Sequence, residues 1–251
     1  CEKLQKHMRL LLDKGGLYKI YNGNLLFHGC IPLNEDGSLK EIQIYGKKYK
    51  GRELYDVLET YVRRAFFAVD SMEQRKGMDI LWFIWASPSS PLFGKDKMTT
   101  FERYFIADKE THKETKGAYY HLLENEEVVD TLLQEFDLSP ENGHIINGHV
   151  PVHQGEGESP VKCNGKVIVI DGGFCKAYQK VTGIAGYTLI YNSYGLILSA
   201  HEPFTSKEDA VSKESDIVSN RVSVHYTSKR RLVGDTDTGK ALRERIEELM
   251  Q

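Results

Sequence analysis

The sequence predicts a mixed α/β fold, a layered sheet with helices packed on it. Short apolar runs of strand length, such as Leu25–Phe27, Val167–Ile170 and Tyr187–Tyr191, recur along the chain. Amphipathic stretches of helical period lie between them, so the two kinds of element are interspersed rather than segregated. No internal repeat is visible that would turn the reading toward a solenoid.

The elements run in order. Residues 2–13 are amphipathic at helical spacing, and Gly15-Gly16 breaks the pattern. Leu25–Phe27 is a short strand ending at His28. Asn34-Glu-Asp-Gly37 signals a turn into the alternating strand Glu41–Tyr45. Over residues 52–76, Leu54, Val57, Leu58, Tyr61, Val62, Ala65 and Phe66 predict one long helix. The seven apolar residues Ile80–Ala86 read as a buried strand stopped by Ser-Pro-Ser-Ser-Pro. Thr99 or Thr100 is expected to cap a short helix, and residues 125–136 form another, with Glu126 and Glu127 favourable to its dipole. Ile145-Ile146 is a strand running to His149. Val152–Gly165 is a polar, glycine-rich loop. Strands at 167–170, 187–191 and 196–199, a helix near 206–218, a strand at 222–227 and a last helix complete the chain.

The chain of 251 residues is long enough for one large or two small domains. With 40% hydrophobic and 27% charged residues it has an ordinary globular composition. A net charge of −3 gives no reason to expect nucleic acid or an anionic membrane as partner. No apolar run nears the roughly 20 residues that span a bilayer. Four cysteines (Cys1, Cys30, Cys163, Cys175) without CxxC spacing encode neither a zinc knuckle nor a redox dithiol. Free thiols in the cytoplasm are the expectation; Cys30, two residues from His28, is a candidate soft ligand, but a small residue filling a turn is the better reading. The chain starts inside a helical pattern without Met and stops inside another. Both ends look truncated, so the expectation is part of a longer polypeptide.

Two histidines carry the functional reading. His28 and His149 each follow a short apolar run, each touch a glycine in sequence, and precede a proline by four and two residues respectively. That is the pattern of a strand's carboxyl end, where open α/β sheets place ligands. Neutral imidazole there suits manganese, iron, zinc or nickel, with an acceptor needed for each other ring N–H. Two satisfied strand-end histidines would fit the pattern equally. His7, His121 and His225 read as packing or surface residues and His112 as solvated. His144, His153 and His201 are candidates to approach a site. Gly234-Asp-Thr-Asp-Thr-Gly239-Lys240 matches part of a phosphate-cradling loop. Ala241 stands where a magnesium-binding hydroxyl belongs, and two aspartates would face the phosphates. A turn with an Asp237 or Thr238 helix cap is the better reading.

Asn24-Leu-Leu-Phe-His28-Gly-Cys-Ile-Pro resembles the His-Gly segment of the calcineurin-like metallophosphatases, and Asn147-Gly-His149-Val-Pro their later Gly-His segment. Ser90–Phe105, Val169–Phe174 and Thr182–Gly195 are similar to the class III fructose-1,6-bisphosphatases of bacteria, and the likeness runs over essentially the whole chain. The resemblance implies part of the metallophosphatase αββα sandwich and hydrolysis of the 1-phosphate of fructose 1,6-bisphosphate by a two-metal mechanism, in gluconeogenesis. It implies His28 and His149 as ligands of one metal, manganese being expected, with Asn147 and Asp171 orienting a ligand. Asp171 as a plain turn residue before Gly172-Gly173 fits equally. The Asp-x-His, Gly-Asp and Asn-His motifs that the family places earlier do not occur before His28; Gly234-Asp235 lies after both histidines, in the wrong order and without the Asp-Arg that should follow. The chain therefore resembles the C-terminal portion of such an enzyme, expected to be inactive alone. Pro151 also stands where many relatives carry a second histidine, which favours the phosphoprotein-phosphatase form of the motif. Lys95, Lys97 and Arg103 are the clustered cations available for the sugar's distal phosphate, though each fits surface charge as well. A homo-oligomer is a possibility that the sequence leaves open. Another metallophosphatase, acting on phosphoproteins or dinucleoside polyphosphates, or a non-catalytic folding or oligomerisation module, stands as the alternative.

Overall fold

The computed structural model of the protein describes residues 1–171, 174–203, 206–214 and 219–250. In chain order the elements are α1 (Glu2–Lys14), β1 (Tyr18–Tyr21), β2 (Asn24–Phe27), β3 (Ile42–Ile44), β4 (Lys47–Tyr49), α2 (Gly51–Phe67), α3 (Ser71–Ala86), α4 (Thr100–Phe105), α5 (Ala118–Leu122) and α6 (Glu126–Glu135). They continue as β5 (His144–Asn147), β6 (Val161–Lys162), β7 (Val167–Val169), α7 (Lys176–Thr182), β8 (Gly186–Asn192), β9 (Gly195–His201), α8 (Lys207–Ser212), β10 (Ser219–Tyr226) and α9 (Asp237–Met250). The fold is mixed α/β. Two compact units divide it: Cys1–Lys19 with Leu25–Gly143, and Ile20–Asn24 with the chain from His144 onward.

In the first unit, β3 and β4 form an antiparallel hairpin around Tyr45 and Gly46, both at positive φ. Its inner residues Ile42 and Ile44 pack with Leu54 and Leu58 of α2 and Ile80 and Ile84 of α3. The two helices come together closely at Gly77. A Cβ there would stand 2.3 Å from the Ala65 nitrogen and 2.5 Å from the Tyr61 carbonyl oxygen, so only glycine fits the crossing. A second, aromatic cluster joins Tyr18, Tyr55, Phe27, Tyr119 and Phe136 at ring separations of 5.1 to 6.2 Å. The Asn125 side chain accepts from the Val128 N–H at 3.3 Å and caps α6.

One helix over 52–76 followed by a strand over 80–86 is corrected. The chain leaves α2 at Ala68, in extended conformation, and Asp70 starts α3 by accepting from the Glu73 N–H at 2.9 Å. Residues 80–86 are the last two turns of that helix. Ile80 and Ile84, one turn apart, are buried, while Leu81, Trp82 and Trp85 are exposed. Thr99 precedes α4, but its hydroxyl bonds Glu114 rather than capping the helix.

In the second unit, β7 pairs in parallel with β5 and antiparallel with β6. The parallel register sets Ile145 against Val167 and Asn147 against Val169, so both strands end on one edge. The expected loop over 152–165 contains β6 and two single helical turns. A separate antiparallel sheet has the order β10-β9-β8. Helix α8 begins at Ser206, whose hydroxyl accepts from Asp209 N–H at 3.0 Å. The remainder of the helix expected near 206–218 falls partly on residues 215–218, and the turn at Gly172-Gly173 on residues 172 and 173, all outside the described residues. The cap of α9 is neither Asp237 nor Thr238. The Thr236 hydroxyl accepts from Gly239 N–H at 3.1 Å, leaving Asp237 to bind the Asn22 N–H at 2.6 Å and Thr238 to meet the Tyr21 hydroxyl at 2.9 Å.

Candidate active site

His28 stands exposed directly after the buried Phe27 at the end of β2. The next two residues are held tightly. The Cys30 N–H donates to the Pro91 carbonyl at 2.8 Å, and the Tyr55 hydroxyl donates to the Cys30 carbonyl at 2.8 Å. A Cβ at Gly29 would lie 2.5 Å from the Pro91 carbonyl oxygen, so the glycine after the histidine is required by this close approach. The imidazole is thus carried on a rigid strand end. Cys30 is buried, and burial pushes its thiol up to about 12.

Beside this strand end lies a cleft of about 300 Å³, lined by Cys30, Lys40, Ser90, Lys95, Lys116 and Tyr119 among others. Glu35 and Asp96 are also on its wall. Lys40 and Lys116 are cations that sequence reading missed. They lie far apart in the chain, and only the antiparallel bridge Lys95–Lys116 brings the second of them to the cleft. No spacing in the sequence announces that bridge.

The expected cationic segment is internally engaged. The Lys95 Nζ donates to Glu114 Oε2 at 2.9 Å, and the Thr99 N–H and hydroxyl donate to Glu114 Oε1 at 3.0 and 2.8 Å. Burial opposes the Glu114 charge, yet Lys95 and Thr99 outweigh it and hold the carboxyl at about 2. Arg103 donates to the Thr99 hydroxyl at 2.9 Å and to the His112 carbonyl at 3.0 Å. Lys97 is exposed. His112 is not merely solvated, because its Nε2 lies 2.9 Å from the Ile106 carbonyl oxygen and helps close the same loop.

In the second unit, His149 has φ 67°, and the Val150 N–H donates across it to the Gly148 carbonyl at 2.8 Å. An i to i+2 bond around a residue at positive φ is a γ-turn of the rare, strained form. Asn147 is 2% exposed at the end of β5. The Asp171 carbonyl, at the end of β7, accepts from Val152 N–H at 2.8 Å, and Ile170 N–H donates to the Asn147 carbonyl at 2.9 Å. Asn147, His149 and Asp171 therefore share one sheet edge, which the sequence could not reveal without the parallel pairing.

The other candidate histidines have structural settings. His201 meets Thr188 and Ser219 hydroxyls at 2.8 and 2.9 Å. His144 is buried against the His225 ring at 5.0 Å, and burial, then His225 and Arg231, lowers its pKa to about 4. His153 Nδ1 lies 4.0 Å from Glu156. Among the described residues no group of three or more His, Cys, Asp or Glu is arranged to hold a metal ion. Within each unit, then, His28 and His149 offer donors of suitable chemistry but not a complete ligand set.

The family model for Firmicute fructose-1,6-bisphosphatase matches residues 1–251. The chain belongs to this family. It is 57% identical over 249 residues to the fructose-1,6-bisphosphatase class 3 of Clostridioides difficile (strain 630), a match covering 99% of this chain and 38% of that protein. Relatives of the same name from Clostridium tetani (strain Massachusetts / E88) and Clostridium botulinum (strain Loch Maree / Type A3) are 55% and 54% identical, again over 99% of this chain and 38% and 37% of theirs. The chain thus spans well under half the length of these relatives. No solved structure matches it. Among the described residues no helix is long and apolar enough to cross a membrane.

Proposed function

We propose that this chain works within a fructose-1,6-bisphosphatase, removing the 1-phosphate of fructose 1,6-bisphosphate. The observation that carries the reading is the near-complete match of the chain to relatives that bear this name. In it, His28 and His149 would be the residues that hold a divalent metal, manganese. Strained backbone of the kind found at His149 concentrates where function fixes a side chain's direction. A bound pair of divalent ions would supply Lewis acidity and a nucleophile at neutral pH. Asn147 and Asp171, on the edge that carries His149, would orient that imidazole.

The sugar bisphosphate brings about four negative charges near neutral pH, which calls for cations at its distal phosphate. Lys40, Lys95 and Lys116 line one cleft next to the His28 strand end; Lys40 and Lys116 are the favoured pair, because Lys95 is already paired with Glu114. Lys97 is available from the surface, whereas Arg103 already serves Thr99 and the His112 carbonyl. The test is a chimaera in which this chain replaces the matched segment of the Clostridioides difficile relative. It should release phosphate from fructose 1,6-bisphosphate in a manganese-dependent, chelator-sensitive way. A folded chimaera that leaves the sugar bisphosphate untouched would overturn the reading.

A further inference from the structure

Helix α3 is apolar on two faces but covered on one. Its inner face (Gly77, Ile80, Ile84) is buried, while Met78, Leu81, Trp82 and Trp85 stand 59%, 44%, 67% and 58% exposed. These four are spaced 3, 1 and 3 residues apart and form a single stripe. The two indoles touch edge to face at 5.0 Å. A helix apolar all round is normally buried. The two indoles alone expose roughly 300 Å², on the scale of the largest apolar patch an ordinary monomer shows.

We infer that this face is an interface, and that its occupant is polypeptide equivalent to the part of the relatives this chain does not match. Other helices choose between this occupant and a second copy. Leu10 and Leu11 on α1 and Phe101 and Phe105 on α4, in the same unit as α3, are likewise exposed. One isologous contact covers one patch and leaves the others bare. An occupant that reaches all three helices must be large, and the matched relatives extend far beyond the 38% that this chain covers. The inference rests on family membership and not on the proposed chemistry, so it stands or falls separately from metal binding and hydrolysis.

The chain has two tryptophans, and both lie on this stripe, so indole fluorescence reports on the face alone. The chain by itself should emit as water-exposed indole, independent of protein concentration, and be quenched efficiently by acrylamide. In the chimaera, with every tryptophan of the relative's portion replaced by phenylalanine, emission should shift to the blue. The quenching constant should fall about threefold or more, because an interface core excludes water. Unchanged quenching in the chimaera would overturn the inference. A blue shift of the chain alone with rising concentration, accompanied by doubled mass, would make the occupant a second copy and overturn it equally. Independently of the chimaera, Trp82→Gln with Trp85→Gln in the chain alone should raise its solubility limit and leave its melting temperature unchanged. A large fall in melting temperature would mean the indoles belong to the chain's own core.

Discussion

The ammonium of Lys95 and the carboxylate of Glu114 meet at 2.9 Å, in a site where Glu114 also receives both donors of Thr99. The pair closes the segment that runs from Gly94 to Gly117, and it sets an acid limit on that segment. Glu114 is held at about 2, below its ordinary 4.5. Its contribution is therefore complete above pH 4.5 and is lost as pH falls from there toward 2. The shift is worth at most roughly 3 kcal/mol. Hydrogen exchange across residues 94–117 should accelerate over that window, and Glu114→Gln should flatten the dependence. An unchanged profile in the variant would remove Glu114 from this role.

A second acid limit belongs to the other unit. His144 is neutral in the fold, with its pKa lowered to about 4 from 6.5. The unfolded chain takes up this proton first, so the contribution is full above pH 6.5 and drains away as pH falls toward 4. Thermal melts from pH 7 to 4 should show a decline that His144→Phe reduces. A decline of the same size in the variant would assign it to other groups.

Gly77→Ala should cost about 1–3 kcal/mol, because the added methyl forces α2 and α3 apart at Ala65 and Tyr61. Urea denaturation of the chain reads this directly. A loss below about 0.5 kcal/mol, no more than an ordinary surface substitution costs, would mean the crossing has slack.

His149 allows strain and function to be separated. His149→Gly removes the imidazole and relieves the positive φ, whereas His149→Ala removes the imidazole and keeps the strain. The glycine variant of the chain should be the more stable of the two by about 1 kcal/mol. In the chimaera both should lose hydrolysis alike. If the alanine variant alone were inactive, the loss would be one of folding.

Much of this architecture is legible in the sequence, for reasons that can be named. The strands that lead to His28 and His149 are short apolar runs ended by glycine, and α6 carries both its cap, Asn125, and its apolar spacing. Helix α3 was not legible because Ile80–Ala86 lacks a polar residue to mark its outer face, so a half-covered helix has the pattern of a buried strand. The interruption before it was hidden by Ala68 and Val69, which continue the apolar character across the break. Helix α7 carries no strong periodic signal and was missed. The shared edge of Asn147, His149 and Asp171, and the bridge that carries Lys116 to the cleft, arise from pairings between distant segments. Local pattern holds no record of those.

The most direct measurement is manganese-dependent phosphate release from fructose 1,6-bisphosphate by the chimaera, alongside its His28→Ala, His149→Ala and double variants at limiting metal. On the proposal that both imidazoles serve one metal, each single variant should lose most of the activity, and the double variant little more. The 251-residue chain alone should release none. Near-normal rates in either single variant, or independent losses that multiply in the double, would contradict a shared metal held by His28 and His149.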